Sequence, residues 1–248
     1  MNNKLVILEK KRSQVPEILK QNNLIECSFE ELGKWSEIHH DLLNELIAVA
    51  QHYDFKGGLF EEMNQRIYVK RATLEKNMRI KRKSNSEIFD TLKKMRDTSF
   101  TIKGVYQENG YKTTTAMAFF DKVFLHEKPG KDTYFELEYT ELFSLLCSKE
   151  YSLTYGNYSK LNLLKIIDLK SKYAKALYEI LEANKYKETV FTLNEKQLKD
   201  QLRYNVKHYR FAGMIREVEK VYDIVKAKIE FKYLVHKTEK SISFKIII

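Results

Sequence analysis

The feature that most constrains this chain is a change of hydrophobic period close to residue 228. From about Tyr209 through Lys226, the residues Met214, Ile215, Val218, Val221, Tyr222 and Val225 recur at helical spacing and put one apolar stripe on an amphipathic helix. Beyond it the period falls to two. Ile229, Phe231, Tyr233 and Val235 alternate with Glu230, Lys232 and Leu234, and Ile242, Phe244 and Ile246 alternate with Ser243 and Lys245. Two strands therefore flank the polar tip His236 to Ser241 and form a hairpin.

Upstream lie two more helical patterns. Tyr173, Leu177, Tyr178 and Leu181 share one face of a helix over Leu169 to Glu182. After the β-prone run Thr189 to Leu193, Asn194 is placed to cap a helix from Glu195 to Leu202. Three helices closed by a β-hairpin is the winged-helix order. In that order the third helix enters the DNA major groove and the hairpin tip reaches the backbone or minor groove.

The residues Ser171-Lys-Tyr-Ala-Lys-Ala-Leu-Tyr-Glu-Ile-Leu181, then Phe191-Thr-Leu193 with Leu198 to Leu202, then Lys228-Ile-x-Phe-x-Tyr233 with Ile242-x-Phe244, resemble the C-terminal domain of the iteron-plasmid replication initiators, the RepB-type Rep proteins. The Ser-Lys-Tyr-Ala-x-x-Leu-Tyr element is the most specific piece. The resemblance implies an α+β chain of two winged-helix domains in tandem. It further implies binding to repeated origin sites (iterons) in double-stranded DNA, origin opening with the host replication initiator, recruitment of the host helicase, and a dimer that represses its own gene while monomers start replication.

The first half fits a second such unit. Leu42, Leu43, Leu46, Ile47, Val49 and Ala50 make a helix that ends before Asp54 and Gly57-Gly58; Ile67 to Lys70 is β-prone, and Ala72 to Asn77 suits a short helix. Ser84 or Ser86 can cap the next helix, with Glu87 as the capping-box partner three residues after Ser84, ahead of Ile88, Leu92 and Met95. Phe100 to Tyr106 and Thr113 to Phe120 read as the closing hairpin around Glu108-Asn-Gly110, with further β segments near Lys122 to Leu125 and Tyr134 to Leu137 separated by Lys128-Pro-Gly130. Met1 to Lys34 reads as a small strand or arm, and Glu138 to Asn162 as a connection that starts with a helix through Leu142, Leu145 and Leu146. The expected division is residues 1–145 for dimerisation and DNA backbone contact and 146–248 for sequence-specific DNA binding.

Charge agrees with that division of labour. The net charge is +10, and the stretch from Leu163 to Ile248 holds 19 Lys and Arg against 11 Asp and Glu. In the first part, positions 66 to 83 carry eight basic residues against Glu75. Two basic concentrations suit a protein that touches phosphates at two places, although a lysine-rich coding composition would also raise the count.

The candidate DNA-contacting residues follow from placement. Lys207, His208, Tyr209 and Arg210 sit where the last helix enters the groove, with Arg216 and Lys220 further along it. Lys237 and Lys240 frame the wing tip, and Lys81, Arg82 and Lys83 precede the third helix of the first unit. A solvated helix face is the alternative for each.

Other function classes lack their residues. Cys27 and Cys147 have no zinc-like spacing or disulfide framework and are expected to be small core residues in a reducing cytoplasm. His39-His40 is adjacent, without the intervening apolar residue of the metal-binding pair in origin-nicking enzymes, and there is no phosphate-binding loop or nucleophile motif. No enzyme activity, metal or cofactor is expected, and no apolar run approaches the roughly 20 residues of a membrane helix. The rival readings are a tandem winged-helix transcription repressor and, less favoured, an origin-nicking enzyme.

Overall fold

The computed structural model describes residues 17–29, 35–52, 66–79, 83–103, 114–187, 189–204 and 210–247. In chain order the first part comprises β1 (Glu17–Gln21), α1 (Asn22–Glu26), β2 (Ser28–Phe29), α2 (Glu37–His52), β3 (Arg66–Lys70), α3 (Arg71–Met78), α4 (Asn85–Arg96), β4 (Ser99–Lys103), β5 (Thr114–Ala118), β6 (Phe120–His126) and β7 (Tyr134–Tyr139). A connecting set follows: α5 (Glu141–Cys147), α6 (Lys149–Tyr155), β8 (Tyr158–Asn162) and α7 (Leu163–Asp168). The last part is α8 (Lys172–Asn184), β9 (Val190–Asn194), α9 (Glu195–Gln201), α10 (Phe211–Lys226), β10 (Phe231–His236) and β11 (Ser241–Ile246).

Two winged helices repeat one plan. In the first, α2, β3, α3 and α4 lead to a sheet of order β3-β7-β6; in the second, α8, β9, α9 and α10 lead to the order β10-β11-β9. Each sheet therefore has the last hairpin's second strand in the centre and the strand before the second helix on an edge. The alternation read in the sequence sets the register. Phe231 pairs with Ile246, Tyr233 with Phe244 and Val235 with Ile242, while Phe231, Phe244 and Ile246 are buried against α10's stripe of Met214, Val218, Val221 and Val225. Ile215 and Tyr222 pack at the margin of that core.

The wing of the first unit is not the hairpin expected from the sequence. β4 and β5 do pair, with Ser99 opposite Ala118 and Lys103 opposite Thr114, but their sheet is completed by β2 rather than by β3. The wing is β6 and β7, joined through Lys128-Pro129-Gly130, where Gly130 takes φ 72. Packing decides the choice. β7 turns Phe135, Leu137 and Tyr139 inward and Glu138 outward, and its neighbour β3 turns Ile67 and Val69 inward, which gives the apolar layer that covers Ile88, Leu92 and Met95 of α4. The capping box forms at Ser84, one of the two caps read there, and the cap read at Asn194 is completed into a second box by Gln197.

The two units share a continuous core. β1 pairs antiparallel with β8 from Glu17 opposite Asn162 to Gln21 opposite Tyr158, so the start of the described chain is tied to residues beyond both sheets of the first unit. The expected boundary between 145 and 146 falls inside α5, whose Phe143, Leu146 and Cys147 are all buried. From Ala174 to Leu181 every residue of α8 is buried. A helix covered on all sides is a central element rather than the surface helix of a separate domain.

Charged groups are buried along with it. Lys20 Nζ, 1% exposed, donates to Glu179 Oε2 and to Asn44 Oδ1, both at 2.9 Å, and Asn44 Nδ2 donates to Glu179 Oε1 at 2.7 Å. Lys175 Nζ, fully buried, donates to Asp41 Oδ1 at 2.6 Å and to the Ile166 carbonyl at 2.9 Å. Arg203, held at φ 54, donates to the carbonyls of Leu24, Ile25 and Cys27. Each of these groups joins β1, α1 or α2 to an element of the second unit. A buried ion must be paired to be tolerated, so separating the units would strand several charges. Burial pulls the ammonium of Lys20 below its ordinary range against the opposing pull of Glu179, and pushes the Cys27 and Cys147 thiols up.

Candidate nucleic-acid interface

α10 offers one exposed face. Its buried residues Phe211, Met214, Val218, Val221 and Val225 centre on one side. At about 100° per residue Arg216 falls diametrically opposite, flanked by the exposed Ala212, Glu219, Lys220 and Asp223. Arg216 has no hydrogen bond or ion pair among the described residues. Lys220 is different, because its Nζ lies 2.7 Å from Glu217 Oε1. Past the second turn the face is therefore mixed in charge, and its unopposed cations lie towards the N-terminal end.

That end is built to stay positive. Arg210 is the N-cap residue, extended at φ −124 and ψ 143, exposed, and with no side-chain acceptor to offer the first-turn N–H groups. No acid lies in the first turn. The amide dipoles and the guanidinium add at one place, which favours an anion such as a phosphate. Lys207, His208 and Tyr209, expected beside Arg210, lie outside the described residues.

The wing tips carry lysines in both units. Lys237 and Lys240 are exposed in the turn between β10 and β11, Lys240 at φ 47 with its Nζ 3.6 Å from Glu195 Oε2. In the first unit Lys128 and Lys131 flank Pro129-Gly130 and are exposed, with the Lys131 N–H donating to the Lys128 carbonyl at 3.0 Å. Read from sequence, Lys128-Pro-Gly130 only separates two β segments, because the closing hairpin falls on β4 and β5. With the wing on β6 and β7, these two lysines become the counterparts of Lys237 and Lys240.

The basic run before α4 is less open than it reads. Lys83 Nζ lies 3.1 Å from Glu87 Oε1, and the Lys83 carbonyl accepts from Arg71 at 2.8 Å. Lys81 and Arg82 lie outside the described residues. Just before them Arg79 meets Asp168 at 2.9 Å, and Asp168 also meets Lys228 at 3.3 Å. The start of the run is thereby held beside the C-terminal end of α10, so the two basic concentrations approach one another in space. No grouping of His, Cys, Asp and Glu among the described residues could hold a metal ion, and no helix among them is long and apolar enough to cross a membrane.

Comparison with known proteins settles the family. A family model described as initiator replication protein, WH1, matches residues 17–182, about two thirds of the chain and up to the last turn of α8. The chain belongs to this family of replication initiators. The fold agrees over nearly the whole length. The Pi initiator protein, solved in complex with iteron DNA, superposes with a TM-score of 0.55 at 15% identity, covering 96% of this chain and 99% of that one. Domains 2 and 3 of RctB superpose with a TM-score of 0.50 at 12% identity, covering 97% and 94%. No curated protein sequence gives a significant match. As a replication initiator the chain is a DNA-binding protein with a winged helix in each half.

Proposed function

We propose that this initiator binds repeated sites at a replication origin, with α10 lying in the major groove and both wings on the phosphate backbone. The single observation that carries the reading is the N-terminal end of α10, where Arg210 is the exposed N-cap residue and Arg216 is exposed on the face turned away from the core, neither of them paired among the described residues. Support comes from the family match and from a structural neighbour solved on iteron DNA. Arg210 and Arg216 are the base readers; Lys237, Lys240, Lys128, Lys131 and the run Lys81, Arg82 and Lys83 hold backbone phosphates. The first unit also supplies the dimer contact, and the dimer represses the initiator's own gene. Origin opening with the host initiator and recruitment of the host helicase follow binding. The protein works in the cytoplasm without enzymatic chemistry or a cofactor.

The test is selectivity. A duplex is first selected from a random pool by the wild-type chain, then compared with a scrambled duplex. Arg210→Ala and Arg216→Ala should each weaken the selected duplex by about 1 to 3 kcal/mol while the scrambled one changes much less. Joint neutralisation of Lys81, Arg82 and Lys83 should weaken both duplexes alike and reduce the salt slope by up to about one unit for each phosphate no longer neutralised. An unchanged ratio of specific to non-specific affinity in both arginine variants removes α10 as the reader. Nicking of the selected duplex in the presence of a divalent metal would favour the enzyme reading instead.

A further inference from the structure

The first turn of α10 rests on an aromatic seat. A Cβ built at Gly213 would meet the Tyr204 hydroxyl oxygen at 2.4 Å and its Cζ at 3.4 Å. The phenol therefore fills the volume a side chain at 213 would need. Tyr204 follows α9, and its N–H donates to the Lys199 carbonyl at 2.9 Å, which anchors the residue to that helix. Its ring lies 5.8 Å from that of Tyr173 on α8, and the Lys172 ammonium sits 4.7 Å from the Tyr173 ring centre. Lys172, Tyr173, Tyr204 and Gly213 thus form one contiguous stack from α8 to the side of α10.

Gly213 has no backbone reason to be glycine, since its φ is that of an ordinary helical residue. Helix propensity alone would favour alanine there. The residue is instead small because something else occupies its place. On the helical wheel Gly213 borders the outer face one turn before Arg216, so the height of Tyr204 sets how the beginning of that face stands out from the body of the protein.

We infer that Tyr204 is a positioning residue for DNA reading: its ring, seated on Gly213 and backed by Tyr173, fixes the angle and depth at which Arg210 and Arg216 are presented to the groove. This inference rests on the assignment of α10 as the reader. A misplacement of a fraction of an ångström at the first turn is carried along a rigid helix to both arginines, and bidentate base contacts tolerate little of it.

The geometry gives a size-compensation test on the full chain, with the selected and scrambled duplexes as probes. Gly213→Ala pushes the phenol away and should lower the ratio of specific to non-specific affinity by about tenfold, the size of one good base contact. Tyr204→Phe removes the atom at 2.4 Å, keeps the ring, and is the background in which Gly213→Ala is repeated. Tyr204→Phe with Gly213→Ala should regain most of the selectivity, because the nearest remaining atom lies at 3.4 Å. Thermal unfolding of each variant separates a displaced seat from a failure to fold.

An equal loss from Gly213→Ala in both backgrounds overturns the inference, as does no loss at all. Should Gly213→Ala fail to fold, Tyr204→Leu empties the seat without adding an atom to α10; selectivity should fall while scrambled-duplex affinity holds, and an unchanged ratio overturns the inference. Failure of the underlying reading looks different. In that case Arg210→Ala and Arg216→Ala leave the ratio unchanged, whereas selective losses there with no coupling between positions 204 and 213 sink this inference alone.

Discussion

The two winged helices share a topology and differ in how their third helices begin. α4 is locally complete: the Ser84 side chain accepts from the Glu87 N–H, the Glu87 carboxylate accepts from the Ser84 N–H, and Lys93, Lys94 and Arg96 close the last turn. Those hydrogen bonds hold the Glu87 carboxyl below the ordinary carboxylate range. Its charges run acid to base along the helix, which opposes the macrodipole and stabilises the helix. α10 starts instead with a basic N-cap residue and no first-turn acid, and its stability comes from an apolar stripe pressed on α8 and the wing. A helix that forgoes its own cap keeps a positive end available to a partner. On the proposed function, the difference gives stabilisation to one helix start and recognition to the other.

Three experiments bear on that comparison. The largest effect is expected from Leu177→Ala on the fully buried face of α8, at about 2 to 5 kcal/mol in denaturant unfolding. Because α8 also faces α1 and α2, the destabilisation should appear in a single transition read by probes in either unit. Two separated transitions, with the first unit unaffected, would make the units independent and the comparison one between separate domains.

Smaller effects are expected at the caps. Ser84→Ala should lower stability by about 1 kcal/mol while leaving DNA affinity intact. Arg210→Ser supplies the acceptor that α10 lacks, so stability should hold or rise while DNA affinity falls. The opposite pattern, with Ser84 controlling affinity and Arg210 stability, would exchange the roles of the two helix starts.

The smallest effect is a pH dependence at the seam between the units. Burial, followed by the charges of Lys94 and Lys172, pulls His39 from its ordinary 6.5 down to about 4. The unfolded chain then binds a proton that the folded one refuses. This contribution to stability is complete above about pH 6.5 and is lost as pH falls towards 4. His40, buried with neither ring nitrogen hydrogen-bonded among the described residues, acts in the same sense. Asp41 is pushed up to about 6 by burial, against Lys175, and acts in the opposite sense: its contribution is full below its ordinary 3.8 and lost as pH rises through 6. Removing one opponent uncovers the other. His39→Gln should therefore gain stability relative to the wild type on acidification from about pH 6.5 to 4, and parallel pH profiles would contradict this account of the seam.

Much of this protein was determined by local pattern. The stripe of α10, the alternation of β10 and β11, and the two capping boxes depend on neighbours within a few residues, so Met214 to Val225, Phe231 to Ile246, Ser84 with Glu87 and Asn194 with Gln197 announce themselves in the chain. Arg216 follows from that pattern, since the face opposite an apolar stripe is exposed by geometry, and Arg210 follows from its place just before the first turn. What pairs with what across long separations was decided only by packing. β4 and β5 looked like a wing, yet β6 and β7 carry the apolar layer that fits α4; β1 found β8 across the whole first unit; and no local pattern marks Lys20, Lys175, Glu179 and Arg203 for the burial that the fold gives them. A lysine has the same local preferences whether it ends in water or beside a buried carboxylate, so its fate depends on partners that the tertiary structure brings together. The same holds for Gly213, whose small size has its reason in Tyr204, a residue that reaches it only once α8, α9 and α10 have closed.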